Sequence, residues 1–516
     1  MSQRSRLRVP SSWRRAAGQK SLRRNTLANL VGRVVPAVFA LFAIPILLST
    51  VGPEAYGLVG LGLAMESLFG LLDFGMSGSV NREVARNTAA ERSAQVSRDL
   101  LRTLEIVYWP IALLILATVA GGAGWLSEHV VRPTTLSHDT VWFAFVMIGL
   151  GLAARWPISL YQAVLRGLQA QVLMNGIRIA GSVVRVAGGV AAVLLISPTI
   201  RMFFTVQLLG SVFEVALTAG AVWRVLPAGD RSARFDTTFI KSIWRFALGF
   251  SALSMLIQLL YQSGLLAVAK FLPLKEAGFY SVALSLAGVI MFVPYAIHDA
   301  TFPRFAGQVQ RRDAVSFATT FQQALFVSTL WSVIIGMPIV FFSADILYLW
   351  TRSWSVATGA SMAAAFLGFG YLLHQSWAVH YVALTAAGKI RFPLFLTACL
   401  VPLAIVATVA AVMAKGAAGA AAIWAISNFL LAVGYVVYSR RAGGASETAA
   451  GSARAAFLMS CSAVVFAGAS GVSRGSSVTV RLLAATVASL VSLGVGLLWL
   501  RPSGLPFPWR LAARSE

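Results

Sequence analysis

The sequence predicts an all-α integral membrane protein of about fourteen transmembrane helices, arranged as two six-helix bundles related by a parallel repeat, with two further helices at the C-terminal end. Three observations carry this prediction. Apolar runs of membrane-spanning length recur along all 516 residues, of which 58% are hydrophobic and 12% charged, against roughly 25% charged in a soluble globular domain. The Lys and Arg residues alternate in density from one connecting segment to the next. Finally, short sequences recur at a fixed offset.

In chain order, residues 1–26 form a basic tail. The first apolar run, Leu27–Thr50, is too long for the core of a signal peptide and lacks a small-residue cleavage site, so it is expected to remain as the first span. Spans follow near 57–80, 104–126, 141–164, 172–197 and 202–223, which makes 27–224 the first bundle. A basic linker occupies 225–245. The second bundle, 246–440, holds spans near 246–272, 278–302, 318–342, 357–383, 392–414 and 417–438. Two more spans lie within 455–500, and 501–516 is a second basic tail.

The formal charge of +24 raises the question of a nucleic-acid partner, and the placement of the basic residues excludes it. With the N-terminus inside, the outer segments keep only Arg132, Arg201, Lys275, Arg352, Lys415 and Arg474. The great majority fall on inner segments, as the positive-inside rule requires, scattered over short loops and not gathered in one patch. Both termini are therefore expected in the cytoplasm. Cys399 and Cys461 sit in separate apolar runs, and His374 and His380 are six residues apart on different helix faces, so no metal or cofactor is expected.

The repeat has an offset of about 221 residues, so that Gly57 in EAYGL aligns with Gly278 in EAGFY, and Gly167 in YQAVLRGL aligns with Gly388 in YVALTAAGK. Six spans fit within the offset. An even number gives both halves the same orientation.

The residues that read NTLANLVGRVVPAVFALFAIPILLSTVGPEAYGLVGLGLA from Asn25, LLDFGMSGSVNREVA from Leu71, VLRGLQAQVLMNGIR from Val164, and FLPLKEAGFYSVALSLAG followed by TFPRFAG resemble the bacterial polysaccharide flippases of the Wzx type. These belong to the multidrug, oligosaccharidyl-lipid and polysaccharide exporter superfamily. The resemblance extends through most of the chain. It implies two bundles in a V around a central cavity in the bacterial cytoplasmic (inner) membrane. It also implies alternating access, by which a polyprenyl-pyrophosphate-linked oligosaccharide, such as an O-antigen or exopolysaccharide unit, passes from the cytoplasmic to the outer leaflet without covalent change. Membrane lipids and polysaccharide polymerase or assembly proteins are the implied partners. One departure is that the family often has an acidic residue in the middle of span seven, where this chain has Gln258, Tyr261, Gln262 and Ser263.

Arg33, Arg155 and Arg185 sit inside expected spans, where a lone charge costs several kcal/mol. Arg178 lies seven residues before Arg185 on the same helical face. Two readings stand side by side. The arginines either dock a pyrophosphate, whose oxygens suit the planar guanidinium fork, or pair with Glu66 and Glu214 to hold the bundle together. Tyr261 and Gln262 are candidates for contact with sugar hydroxyls. Asp299 with His298 is the candidate pair for proton coupling. Asp73 and Glu105 are expected at the inner ends of their spans, satisfied by solvent and by nearby Arg82 or Arg102.

Two rival functions remain. A drug or metabolite antiporter of the same superfamily would need an intramembrane carboxylate as cation site. A membrane glycosyltransferase or polymerase would need carboxylates on a sizeable outer loop, but the longest such loops, near 127–140 and 343–356, hold only Glu128, Asp139 and Asp345. A transporter is favoured over an enzyme.

Overall fold

The computed structural model describes residues 11–89, 94–441 and 446–499; residues 1–10 of the expected N-terminal tail, and the tail 501–516, lie outside the described residues. Eighteen α-helices account for nearly everything that is described, and no strand occurs there. The first unit of sequence gives α1 (Ser11–Thr50), α2 (Gly52–Phe69), α3 (Met76–Ala89), α4 (Ala94–Val119), α5 (Ala123–His129) and α6 (His138–Arg155). These are followed by α7 (Ile158–Gly167), α8 (Gln171–Ser182), α9 (Gly188–Leu195) and α10 (Ile200–Val225). The remainder is α11 (Thr237–Phe271), α12 (Leu274–Gly288), α13 (Phe292–Gln310), α14 (Ala314–Thr351), α15 (Trp354–Ala386), α16 (Arg391–Arg441), α17 (Ser446–Val472) and α18 (Val478–Trp499).

Helix is the expected outcome where no water is present to satisfy backbone N–H and C=O groups, because it pairs them within one segment. Thirteen of the described stretches are long and apolar enough to cross a membrane, so the protein is a multi-pass membrane protein. Its outward apolar residues, such as Val472 at 91% and Leu195 at 84% exposure, are suited to lipid. The apolar stretch Arg391–Ser439 runs for 49 residues, far more than the ~20 that cross hydrocarbon once. It is broken at Gly416, where the backbone takes φ 65° and ψ −153°, a region open essentially to glycine alone. The arms then return antiparallel: the Ala411 carbonyl lies against Gly419, and the Leu396 side chain against Gly434. The break falls between the spans expected at 392–414 and 417–438.

One expectation from the sequence fails here. The segment expected as an outer loop at 343–356 is mostly helix, because α14 continues to Thr351 and only Arg352 and Ser353 separate it from α15. Pro338, which has no N–H, lies inside α14, and four residues on the backbone departs from helical geometry at Phe342. The helix bends there and continues.

The chain forms two compact units, Met1–Ala43 with Phe69–Ala123 and Trp142–Ser251, and Ile44–Leu68 with Gly124–Val141 and Ala252–Glu516. In the first unit, the segment between α10 and α11 is pinned to α4. The Asp99 carboxylate accepts from Arg231 Nη2 at 2.7 Å and from the Arg234 N–H at 2.8 Å, and the Asp236 N–H donates to Thr103 Oγ1 at 2.9 Å. The expected linker 225–245 is thus fixed over 231–236, and its later part is already α11.

In the second unit, α14 carries the core that holds the last two helices. Leu330, Val333, Met337 and Phe342 pack with Leu372 of α15, Leu458 and Phe466 of α17, and Ala485 and Ala488 of α18. Elsewhere in this unit the start of α2 meets the start of α12 backbone to backbone. A Cβ on Gly278 would stand 1.9 Å from the Pro53 carbonyl oxygen, and one on Gly57 2.7 Å from that of Leu274. These are the two glycines aligned by the sequence offset. Around them the Leu274 N–H donates to the Arg132 carbonyl at 2.9 Å, Lys270 Nζ donates to the His129 carbonyl, and the buried Glu54 carboxylate accepts from the N–H and hydroxyl of both Thr134 and Thr135.

Candidate functional site

The cationic cluster lies in the first unit. Arg155 ends α6, immediately before the Trp156–Pro157 turn. Arg166 is in the last turn of α7, Arg178 is on α8, and Arg185 sits in a π-helical turn, Val183–Ala187, between α8 and α9. Such widened turns occur frequently at functional positions. Glu214 on α10 faces them. Its Oε2 is 3.0 Å from Arg185 Nη2 and 3.9 Å from Arg155 Nη2, and the side chains of Glu214, Arg185 and Arg155 are 2%, 14% and 21% exposed. Gly181 leaves the room Glu214 needs, because a Cβ there would stand 2.6 Å from the Glu214 Cγ.

Arg178 lies within electrostatic range of Glu214, Arg33 and Arg155, and Arg166 within range of Arg178, Arg33 and Asp73. Five guanidiniums therefore share one region with the carboxylates of Glu214 and Asp73. Arg33, on α1, is exposed and Arg166 half-buried. Glu66 lies on α2 in the second unit; Glu214 reaches both Arg155 and Arg185. Arg166 had been counted in the sequence only as loop charge. Its place in the repeated YQAVLRGL motif was the available signal.

Asp73 and Glu105 are not solvated helix ends. Asp73 accepts from the Tyr108 hydroxyl at 2.5 Å, the Ser159 hydroxyl at 3.1 Å and the Ser77 hydroxyl at 2.8 Å. Glu105 is 5% exposed and accepts from Tyr161 at 3.0 Å, Trp223 Nε1 at 2.9 Å and Arg102 at 3.2 Å. Each carboxylate ties α4 to α7, and Glu105 adds α10. The donors come from helices remote in sequence, so inspection of the flanking residues misses them.

In the second unit, Tyr261 of α11 is the centre of an aromatic and amide cluster. Its hydroxyl is 3.2 Å from His374 Nε2, and its ring lies 4.7 Å from that of Trp424. His374 Nδ1 is 3.2 Å from Asn428 Oδ1, which also accepts from Trp377 Nε1 at 3.1 Å. Tyr295 hydrogen-bonds Tyr261, and His298 is within electrostatic range of His374. Gln262 is half-buried one residue on, and Asp299 is exposed on α13. No group of three or more His, Cys, Asp or Glu able to hold a metal ion occurs among the described residues.

Comparison with known proteins agrees with this architecture. A putative O-antigen transporter of Shigella flexneri is 22% identical over 413 residues, 79% of this chain and 94% of the relative. The lipid II flippase MurJ in an inward closed conformation superposes with a TM-score of 0.69 at 10% identity, covering 91% of this chain and 98% of that one. An inward-facing multidrug resistance MATE family transporter of the MOP superfamily does so with a TM-score of 0.68 at 15% identity, over 79% and 94% of the two chains. Residues 251–410 match the MatE family. Because residues 22–309, more than half of its length, match the family described as "Polysaccharide biosynthesis protein", the chain belongs to that family of membrane proteins.

Proposed function

We propose that this protein is a flippase that carries a polyprenyl-pyrophosphate-linked oligosaccharide from the cytoplasmic to the outer leaflet of the bacterial inner membrane, with both termini in the cytoplasm, for cell-surface polysaccharide synthesis. The observation that carries the reading is the gathering of five guanidiniums within membrane-spanning helices around Glu214. Such a site repels cations and favours an anion. A pyrophosphate diester offers two ionised phosphates whose oxygens accept paired hydrogen bonds from guanidinium. Arg33, Arg166 and Arg178 stand within electrostatic range of one another beside that pair, while Glu214 holds Arg155 and Arg185 in place. The relatives named as an O-antigen transporter and a lipid II flippase support the same class of substrate. Nothing covalent happens to the substrate, so the protein acts as a carrier and works alongside the polymerase or assembly proteins that use its product.

The test is accumulation of lipid-linked glycan in cells lacking the protein, complemented by wild type or by Arg33→Ala, Arg166→Ala or Arg178→Ala at equal membrane abundance. Build-up in the inner leaflet that wild type clears and these variants do not is the expected result. Normal clearance by all three removes the arginines from the substrate site.

A second reading has its own observation. Residues 251–410 match the MatE family, and that half holds Tyr261, His374 and the His298–Asp299 pair. As a cation-coupled antiporter, the protein would expel organic cations with a pH dependence removed by His298→Gln.

A further inference from the structure

Where the C-terminal end of α14 meets the N-terminal end of α18, a cleft of about 350 Å³ opens on the protein surface. One end is polar, formed by Tyr348, Arg352 and Thr479, and the other is lined by Leu482, Leu483 and Thr486. The Thr486 hydroxyl donates to the Leu482 carbonyl of its own helix at 2.9 Å, which leaves that end apolar. From Thr479 to Thr486 the helix descends about 10 Å. Tyr348 stacks on Trp354, with ring centroids 4.2 Å apart and planes at 20°, and Trp354 is 52% exposed. Exposed Trp and Tyr concentrate at the membrane–water boundary, so the polar end sits at the boundary and the apolar end in hydrocarbon. This gradient matches an amphiphile with a headgroup.

Charge identifies the headgroup. Arg481, beside the cleft, is neutralised by Asp345 at 2.7 Å. Arg352, exposed in a left-handed turn at φ 55° that ends α14, makes no ion pair among the described residues. The cleft therefore presents a single net positive charge, which one phosphodiester balances and a pyrophosphate does not. We propose that this cleft binds a diacyl anionic phospholipid, its phosphate on Arg352 and an acyl chain along Leu482 and Leu483. On the topology given by the basic residues, that lipid belongs to the outer leaflet. Bound there, it fills the gap between α14 and α18 and strengthens the seating of α18 on the Leu330–Phe342 core. The site does not depend on the cationic cluster of the first unit.

The probe is a nanodisc of phosphatidylcholine and phosphatidylglycerol, with lipid retained by the full chain measured by native mass spectrometry. One arginine near an anionic headgroup contributes ~1 kcal/mol, about a fivefold preference. Wild type is expected to hold phosphatidylglycerol about fivefold over phosphatidylcholine, Arg352→Gln to show no preference, and Leu483→Trp, which fills the cleft, to hold neither. Arg474→Gln, a basic residue in the adjoining turn but outside the cleft, is expected to behave as wild type. The proposal is overturned if wild type has no preference, if Arg352→Gln keeps it, or if Arg474→Gln loses it equally, which would mean bulk attraction. Displacement of phosphatidylglycerol by equimolar polyprenyl pyrophosphate also overturns it, since the cleft would then be a site for the isoprenoid carrier.

Discussion

Glu214→Gln separates an ion pair that organises the cationic cluster from mere proximity. The substitution removes the charge and keeps the volume beside Gly181. At an effective dielectric of about 20, two unit charges 3–4 Å apart attract by roughly 4–6 kcal/mol, and part of this is offset by the desolvation that burial has already cost. Removing one partner of a buried pair costs about 3–5 kcal/mol, since the other charge is left uncompensated. Arg185 is close and buried, whereas Arg155 stands at 3.9 Å with 21% exposure, so the lower end, about 3 kcal/mol, is expected. The assay is a double-mutant cycle with Glu214→Gln, Arg185→Gln and the combined variant, each unfolded in detergent by dodecyl sulfate titration. The double variant should recover about 2 kcal/mol of the summed single losses, since Arg185 no longer leaves an uncompensated charge, while Arg155 still loses Glu214. A coupling energy under about 0.5 kcal/mol, the level seen for independent sites, refutes the pair. In cells, Glu214→Gln should retain some glycan clearance, because Arg33, Arg166 and Arg178 remain in the cluster.

Three further outcomes follow from the packing. Gly278→Ala places a methyl against the Pro53 carbonyl and should destabilise the protein by about 1–3 kcal/mol, read as a lower thermal midpoint. Asp99→Ala removes both acceptors of the Arg231 and Arg234 contacts, and limited trypsin digestion should then cut between α10 and α11 many times faster than in wild type. Gly416→Ala forces a side chain into φ 65°, ψ −153° at a cost of about 1–3 kcal/mol, measurable by the same dodecyl sulfate titration.

The membrane-spanning architecture was legible because it depends on local quantities. A run such as Leu27–Thr50 declares itself by length and apolarity alone, and the same stretch emerges from the folded chain. The break near Gly416 was legible for the same reason, as a gap between two apolar runs. Loops were less so: an outer loop was expected at 343–356, but the helix bends after Pro338 and continues to Thr351, packed on α15, α17 and α18. The site was legible by residue type only. Arg155, Arg185 and Glu214 stood out as charges in apolar surroundings, but no local pattern says that Glu214 reaches both arginines. Asp73 and Glu105 were misjudged, since their donors, Tyr108, Ser159, Tyr161 and Trp223, lie on other helices. The Tyr261–His374–Asn428 cluster is invisible in one dimension for the same reason.

The contact between Gly57 and Gly278 has a mechanical consequence. It is made of peptide backbone, so little side-chain freedom is lost when it forms or regained when it parts. Its attraction is dispersion, which falls by a quarter to a half when a gap of only 0.5–1 Å opens. A seam of this kind has no long elastic range: it is either seated or lost, and a shift of less than an atomic radius is enough to change which. Within the second unit, the starts of α2 and α12 thus behave as a snap fastener and not as a spring.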